Sequence, residues 1–272
     1  MKFKPIALNQ NTCEKLNSTS FIKFSHKCKF NGVELNVEHI QQAISDEIKI
    51  KDLFDVLNAY NLKVYSIFLL DDFSLSSDNT YKLEVLKKLE LIINYSHEFE
   101  SNLMIIRPSS LENFTDLDLI PQWKINRRTT QRLEDISKMA YKEDINIGFE
   151  YCSEKTSSIS NLNDAKKVLK PLESQENLGY LIDTFNLAKN NTNFNQLDEI
   201  KEYLFLIRLT DYVRGFNSNL ERLLPGEGDF NFSSFYSYLR KIKYSKPFSI
   251  EISKYECSEK LQEKFYHVFK NM

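Results

Sequence analysis

Four cysteines and four histidines are scattered through 272 residues, and neither type falls into a pattern that a metal finger or a redox pair requires. Cys13, Cys28, Cys152 and Cys257 form no CxxC pair and no zinc-ligand spacing. They are expected to be free, reduced thiols. No apolar run approaches the ~18 residues of a membrane span. The opening Met1-Lys2-Phe3-Lys4-Pro5 has no apolar stretch of signal-peptide type. Neither sign of charge dominates: 36 basic residues face 38 acidic ones, for a net charge of -2. That balance offers no basic footprint for nucleic acid. No GxGxxG and no P-loop follows an apolar run, so a nucleotide-binding open sheet has no support. These absences point to a cytoplasmic protein without membrane or nucleic acid among its partners.

What is present is an alternation. Eight short apolar runs recur: Ile6–Leu8, Gly32–Leu35, Lys63–Leu69, Leu103–Ile106, Ile145–Phe149, Gly179–Ile182, Tyr203–Ile207 and Phe248–Ile250. Near-continuous apolar character suits parallel strands covered on both faces. Between the runs, apolar residues recur at three- and four-residue spacing, as in Leu53-Phe54-Val56-Leu57-Tyr60 and Leu83-Leu86-Leu89-Ile92-Ile93. Asn163-Asp164 reads as a cap before Ala165–Leu169, and Ser258 as the start of the last helix. Eight strand–helix units in a chain near the ~250 residues of an α/β barrel predict one (β/α)8 TIM barrel over residues 1–272. A doubly wound open sheet is the competing α/β arrangement.

The functional signal lies at the ends of the runs. Barrel enzymes place their chemistry at the C-terminal ends of strands. Here the second run carries Glu34, the fourth ends at Arg107, the fifth at Glu150, the sixth at Asp183, the seventh at Arg208 and the eighth at Glu251. These groups serve either as structural ion pairs at the mouth or as a working site.

The segments Gly148-Phe149-Glu150-Tyr151, Leu181-Ile182-Asp183-Thr184-Phe185-Asn186, Ile207-Arg208-Leu209-Thr210-Asp211-Tyr212-Val213-Arg214, Leu224-Pro225-Gly226-Glu227-Gly228-Asp229-Phe230 and Lys246-Pro247-Phe248-Ser249-Ile250-Glu251 occur in that order. Their order and spacing resemble the xylose isomerase-like barrels: sugar and sugar-phosphate isomerases and epimerases, and inosose dehydratases. The resemblance spans nearly the whole chain. It implies an acid/base pair, Glu150 and Glu251, which moves a proton α to a carbonyl. It also implies a divalent metal held by Glu150, Asp183 and Glu251 with a histidine from the seventh strand. Arg214 matches a family arginine that contacts substrate oxygens. Arg208, Asn186, Arg107 and Glu34 are the further substrate-binding candidates.

Two positions depart from that pattern. Arg208 stands where the family has its histidine ligand, and Asn186 stands where a second histidine is usual. An arginine offers donors only and cannot ligate a metal. The four histidines, His26, His39, His97 and His267, fall at neither position, although His39 follows the second run closely enough to approach the mouth. Either Arg208 replaces a metal by pairing with carboxylates, or it binds an anionic group of the substrate. The cofactor is therefore a weakly held Mn2+ or Mg2+, or none. Trp123 is an aromatic that either stacks on a sugar or packs. Cys152, with no paired base, reads as a small neutral residue.

Three functions remain open. They are an isomerase or epimerase of a small carbohydrate or carbohydrate phosphate, an inosose dehydratase-like lyase, and a sugar-binding protein without turnover. A homo-oligomer is compatible with each. A superfamily endonuclease would need the metal-binding histidines this chain lacks.

Overall fold

The computed structural model describes residues 6–113, 120–213, 222–253 and 256–271. Its eight strands are β1 (Ile6–Asn9), β2 (Gly32–Asn36), β3 (Lys63–Leu70), β4 (Leu103–Ile106), β5 (Asn146–Phe149), β6 (Leu178–Asp183), β7 (Leu204–Leu209) and β8 (Phe248–Ile250). Each pairs in parallel with the next, and β1 pairs with β8, so the sheet closes on itself. The open-sheet alternative is excluded by that last pairing. Among the described residues no helix is long and apolar enough to cross a membrane.

The strands form where apolar residues run without interruption because both faces are covered. One face of each strand meets the outer helices in a large apolar cluster that includes Ile147, Ile182, Ile207 and Ile250. The other face builds a smaller, separate cluster made of strand residues: Phe68, Leu103, Ile105, Leu181 and Leu206. This second cluster fills the barrel. The helix before β6 begins one turn earlier than Asn163-Asp164 suggests. Asn161 is its cap, accepting from the Asp164 amide at 2.9 Å, and the helix runs Leu162–Leu169. Leu162 is itself buried, and that apolar contact draws the first turn back.

The expectation of four free thiols is corrected. Cys13 and Cys257 form a disulfide across 244 positions, while Cys28 and Cys152 remain free. Closure explains the pairing. The segment after β1 and the segment after β8 are neighbours around the ring, and the Ile252 amide donates to Thr12 Oγ1 at 3.1 Å. Isolated cysteines in sequence thus become adjacent in space.

A cross-link that closes so long a loop constrains the unfolded chain strongly. Reduction, or Cys257→Ser, is expected to lower the unfolding free energy by about 2–4 kcal/mol. Urea denaturation with and without reductant measures this, and coincident midpoints would show that the link does not stabilise the barrel.

Candidate functional site

Side chains alternate across a strand, so a residue two positions beyond a barrel-filling residue also points inward, one layer nearer the mouth. Arg107 follows Leu103 and Ile105 in this way, Asp183 follows Leu181, and Arg208 follows Leu206. Glu34, Glu150 and Glu251 occupy corresponding positions past Gly32, Gly148 and Ser249. The periodicity brings the six groups to one mouth.

Arg208 lies at their centre and is fully buried. Its Nε and Nη2 donate to the two oxygens of Glu34 at 3.3 and 3.0 Å. Its Nη1 lies 3.0 Å from both oxygens of Glu150 and 3.0 Å from Glu251 Oε2. One guanidinium thus joins carboxylates from β2 and β5 and the one just past β8. Glu34 is held from the other side by Asn9 Nδ2 at 3.0 Å, by Ser66 Oγ at 2.8 Å and by Ser249 Oγ. It is wholly inaccessible. Glu34 and Arg208 are therefore corrected as substrate-binding candidates: every polar atom of each faces protein.

A second layer covers the first. Arg107 donates to Glu150 through Nε at 2.8 Å and Nη2 at 3.1 Å, and its Nη2 lies 3.8 Å from Glu251 Oε2. Arg222 Nη1 donates to Asp183 Oδ2 at 2.5 Å and lies 3.8 Å from Glu251 Oε2. Asp183 also caps the helix Thr184–Lys189, accepting from the Phe185 amide at 2.8 Å. The Arg107 and Arg222 side chains are 20% and 19% exposed, and both line a cleft of about 240 Å³ at the mouth. Asp71, paired to Lys88 at 2.9 Å, and Asp72, which accepts from the Ser110 amide at 3.1 Å, lie on the same cleft.

Arg222 was not among the sequence candidates. It stands two residues before the Leu224–Phe230 motif, in a segment without strand or helix pattern. Asp211 puts it in place. An antiparallel bridge joins Asp211 to Leu223. The Asp211 carboxylate accepts from the amides of Tyr212, Gly226, Gly228 and Phe230 at 2.8–3.0 Å. Gly226 adopts φ +92°, and a Cβ on Gly228 would meet Tyr212 O and the Asp211 carboxylate. The glycines of that motif therefore serve a turn wound around Asp211. Arg214 lies outside the described residues.

Other candidates are not brought to the chemistry. Asn186 borders the cleft, but its Oδ1 accepts from the Ser153 amide and hydroxyl at 3.0 and 2.8 Å, and its Nδ2 donates to Tyr151 O at 2.8 Å. It ties the chain after β5 to the helix after β6. His39 is half-buried within the helix Val37–Ser45. Trp123 is 59% exposed at the start of the helix Gln122–Tyr141, so it neither packs nor borders the cleft. Cys152 lines the cleft, and burial pushes its thiol up to about 12, which keeps it neutral.

The electrostatics follow from the two layers. Burial would raise the Glu150 carboxyl, but Arg107 and Arg208 outweigh it and hold it below its usual range. Burial opposes ionisation of Glu251 too, and Arg222, Arg208 and Arg107 together bring it down to about 2. Asp183 moves up, through burial first and only partly countered by Arg222. Among the described residues Glu251 Oε2 is buried without an aligned hydrogen-bond donor, although three guanidinium groups lie within 3.8 Å.

These residues do not fit the family's divalent metal. Glu150 and Asp183 direct their oxygens at arginines, and the position that would supply an imidazole supplies Arg208. Among the described residues no three His, Cys, Asp or Glu side chains are arranged to hold a metal ion.

Comparison with known proteins agrees with the architecture. The family model of the xylose isomerase-like TIM barrel matches residues 22–267. The protein named inosose isomerase in Bacillus velezensis is 20% identical over 251 residues, covering 89% of this chain and 85% of its own length. That of Halalkalibacterium halodurans is 19% identical, covering 89% and 86%. Among solved structures, the IolI protein with a binding zinc atom superposes with a TM-score of 0.86 at 16% identity, covering 98% of this chain and 96% of that one. The 3-keto-D-glucoside 4-epimerase YcjR of E. coli, in its apo form, gives 0.78 at 14% identity, covering 99% and 100%. At such identities the structural likeness speaks to the fold.

The Glu251 shift has a consequence for stability. A carboxyl whose folded pKa lies below its unfolded value of about 4.5 adds stability that is fully present above that pH. That stability is lost as pH falls toward about 2. The wild-type unfolding free energy is expected to fall over this window by an amount on the order of 3 kcal/mol from this group. Glu251→Gln should remove that part of the slope. Urea midpoints for both proteins from pH 5 to 2 measure it, and parallel profiles would refute the assignment.

Proposed function

This chain belongs to the xylose isomerase-like TIM barrel family, and from that premise we propose that it is a sugar isomerase or epimerase that works at the arginine-covered mouth. The observation that carries the reading is the meeting of Glu251 with Arg107 and Arg222 beside the cleft. A small polyhydroxylated carbonyl compound, free or as its phosphate, enters there. Its carbonyl oxygen accepts from Arg107 and Arg222, which polarise it and stabilise the negative charge that develops on it.

Glu251, through Oε2, takes the proton from the adjacent carbon. The C–H electron pair moves into the carbon–carbon bond, and the carbonyl electrons move onto oxygen, giving an enediolate. Epimerisation places a solvent proton, relayed through Glu150, on the opposite face of the same carbon, while Glu251 releases the proton it took to solvent. Return of the proton to the former carbonyl carbon, with a proton shift between the oxygens, is isomerisation. Glu150 serves as the second carboxylate of the pair. A carboxylate held near 2 is a weak base, so substrate binding has to strengthen it. It does so when the substrate oxygen draws Arg107 and Arg222 toward itself and loosens their hold on Glu150 and Glu251.

One observation favours a second reading. Glu150 receives bonds from Arg107 and Arg208 and is 1% exposed. If Arg107 does not turn toward substrate, the mouth binds a sugar without turning it over.

The test is exchange of the substrate's α-hydrogen for deuterium, followed by NMR in D2O over a panel of inososes, ketoses and their phosphates. Exchange is expected with at least one of these. Glu251→Gln should reduce it at least 100-fold, since a carboxamide keeps the shape but cannot accept the proton. Calorimetry on the same variant should show binding preserved. Binding without exchange in the wild type would establish the second reading instead.

A further inference from the structure

We propose that Arg208 is a built-in cation that stands in place of a divalent metal, so that the carboxylates of this mouth are organised without one. The inference concerns metal occupancy and holds whether or not the chain turns over a sugar. Glu34, Glu150 and Glu251 converge from three sides of the barrel, and each has an oxygen 3.0 Å from a terminal nitrogen of this guanidinium. Three buried negative charges at such spacing repel one another unless a positive charge lies among them. A divalent ion is one solution. A guanidinium is another, and it stays charged at every working pH.

Arg208 is also fixed in position. Its Nε and Nη2 make the two-pronged contact with Glu34 that suits a planar guanidinium and a carboxylate. Glu34 in turn is held by Asn9, Ser66 and Ser249. The anchor lies on the far side of the barrel from β7, so the side chain is stretched across the interior with Nη1 left between Glu150 and Glu251. A metal held by Glu150 and Glu251 would have to displace this buried guanidinium. The remaining acidic candidate, Asp183, is occupied by Arg222 at 2.5 Å. Arg208 is thus a positioning residue: it sets the places of Glu150 and Glu251 and faces no cleft itself.

The reciprocal change tests the idea. Arg208→His introduces the imidazole that relatives of this kind would use and removes the competing charge. It also strands Glu34, so Glu34→Gln with Arg208→His is made in parallel to relieve the unpaired carboxylate. Each protein is treated with chelator, checked for native fold by circular dichroism, and titrated calorimetrically with Mn2+.

The wild type is expected to show no binding tighter than the millimolar range. At least one folded His variant should gain 10-fold or more in Mn2+ affinity, and added Glu251→Gln should abolish the gain. Wild-type binding in the micromolar range that Glu251→Gln abolishes would overturn the proposal. So would the absence of a gain in every correctly folded His variant. Sugar turnover enters none of these outcomes, so a failure here is separate from a failure of the isomerase reading.

Discussion

The guanidinium of Arg208 is the contact on which the mouth depends. Its three carboxylate partners reach it from β2, from the end of β5 and from just past β8, and one partner is 174 positions away in sequence. Its worth to the fold cannot be counted as three separate attractions. Taking the charges out of water offsets most of the gain, and a well-packed apolar core of equal volume would serve stability about as well. Removing one member alone is different, because a buried charge is then left uncompensated, at a cost of roughly 3–5 kcal/mol. The arrangement is therefore all-or-none: the carboxylates and the cation are tolerable together and costly apart. Such a cluster defines one register of β2, β5, β7 and β8 about the barrel axis.

That constraint sets the layers above it. With Arg208 satisfied on all sides, no donor from it reaches the cleft, and contact with solvent passes to Arg107 and Arg222. Each of these bonds one carboxylate, lies 3.8 Å from Glu251 and keeps about a fifth of its side chain open. Their pairing explains why Glu150, Glu251 and Asp183 differ. Glu150 and Glu251 share several guanidinium groups and are drawn down. Asp183, with burial dominant and Arg222 as its main counter-charge, moves up. Similar side chains at equivalent strand ends thus acquire different character from the number of cations each can reach.

Much of this was legible in the sequence because it obeys a short period. Eight apolar runs marked the strands, and the ends of those runs marked Glu34, Arg107, Glu150, Asp183, Arg208 and Glu251 as groups at one mouth. What alternation cannot show is depth. Glu34 and Arg208 looked like candidates for substrate contact, yet they lie below the accessible layer, because the residues that cover them come from other strands. Arg222 was illegible for a different reason. It sits in a non-periodic segment, and its position is set by Asp211 through a bridge and a ring of amide bonds. Asp211 reads in sequence as one more polar loop residue. The Cys13–Cys257 link was hidden likewise, since only closure of β8 onto β1 makes the two ends neighbours.

The exchange of a metal for an arginine also changes what a mouth of this kind can do. A metal ion can exchange one ligand for another, so the group that organises the carboxylates can also bind the substrate oxygen. Arg208 cannot divide itself in that way: its donors are directional, its reach is set by its tether to β7, and its pairing to Glu34 is closed to solvent. The two tasks must therefore be separated in space. Arg208 keeps the carboxylates together below, and Arg107 and Arg222 meet whatever enters above. In the proposed function, a ligand oxygen that draws Arg107 or Arg222 toward itself weakens that side chain's hold on Glu150, Asp183 or Glu251 at the same moment. Binding and carboxylate basicity are thereby linked through the same two side chains. That link rests on the layering: partly exposed cations stand between the cleft and carboxylates whose lower partner, Arg208, is wholly buried.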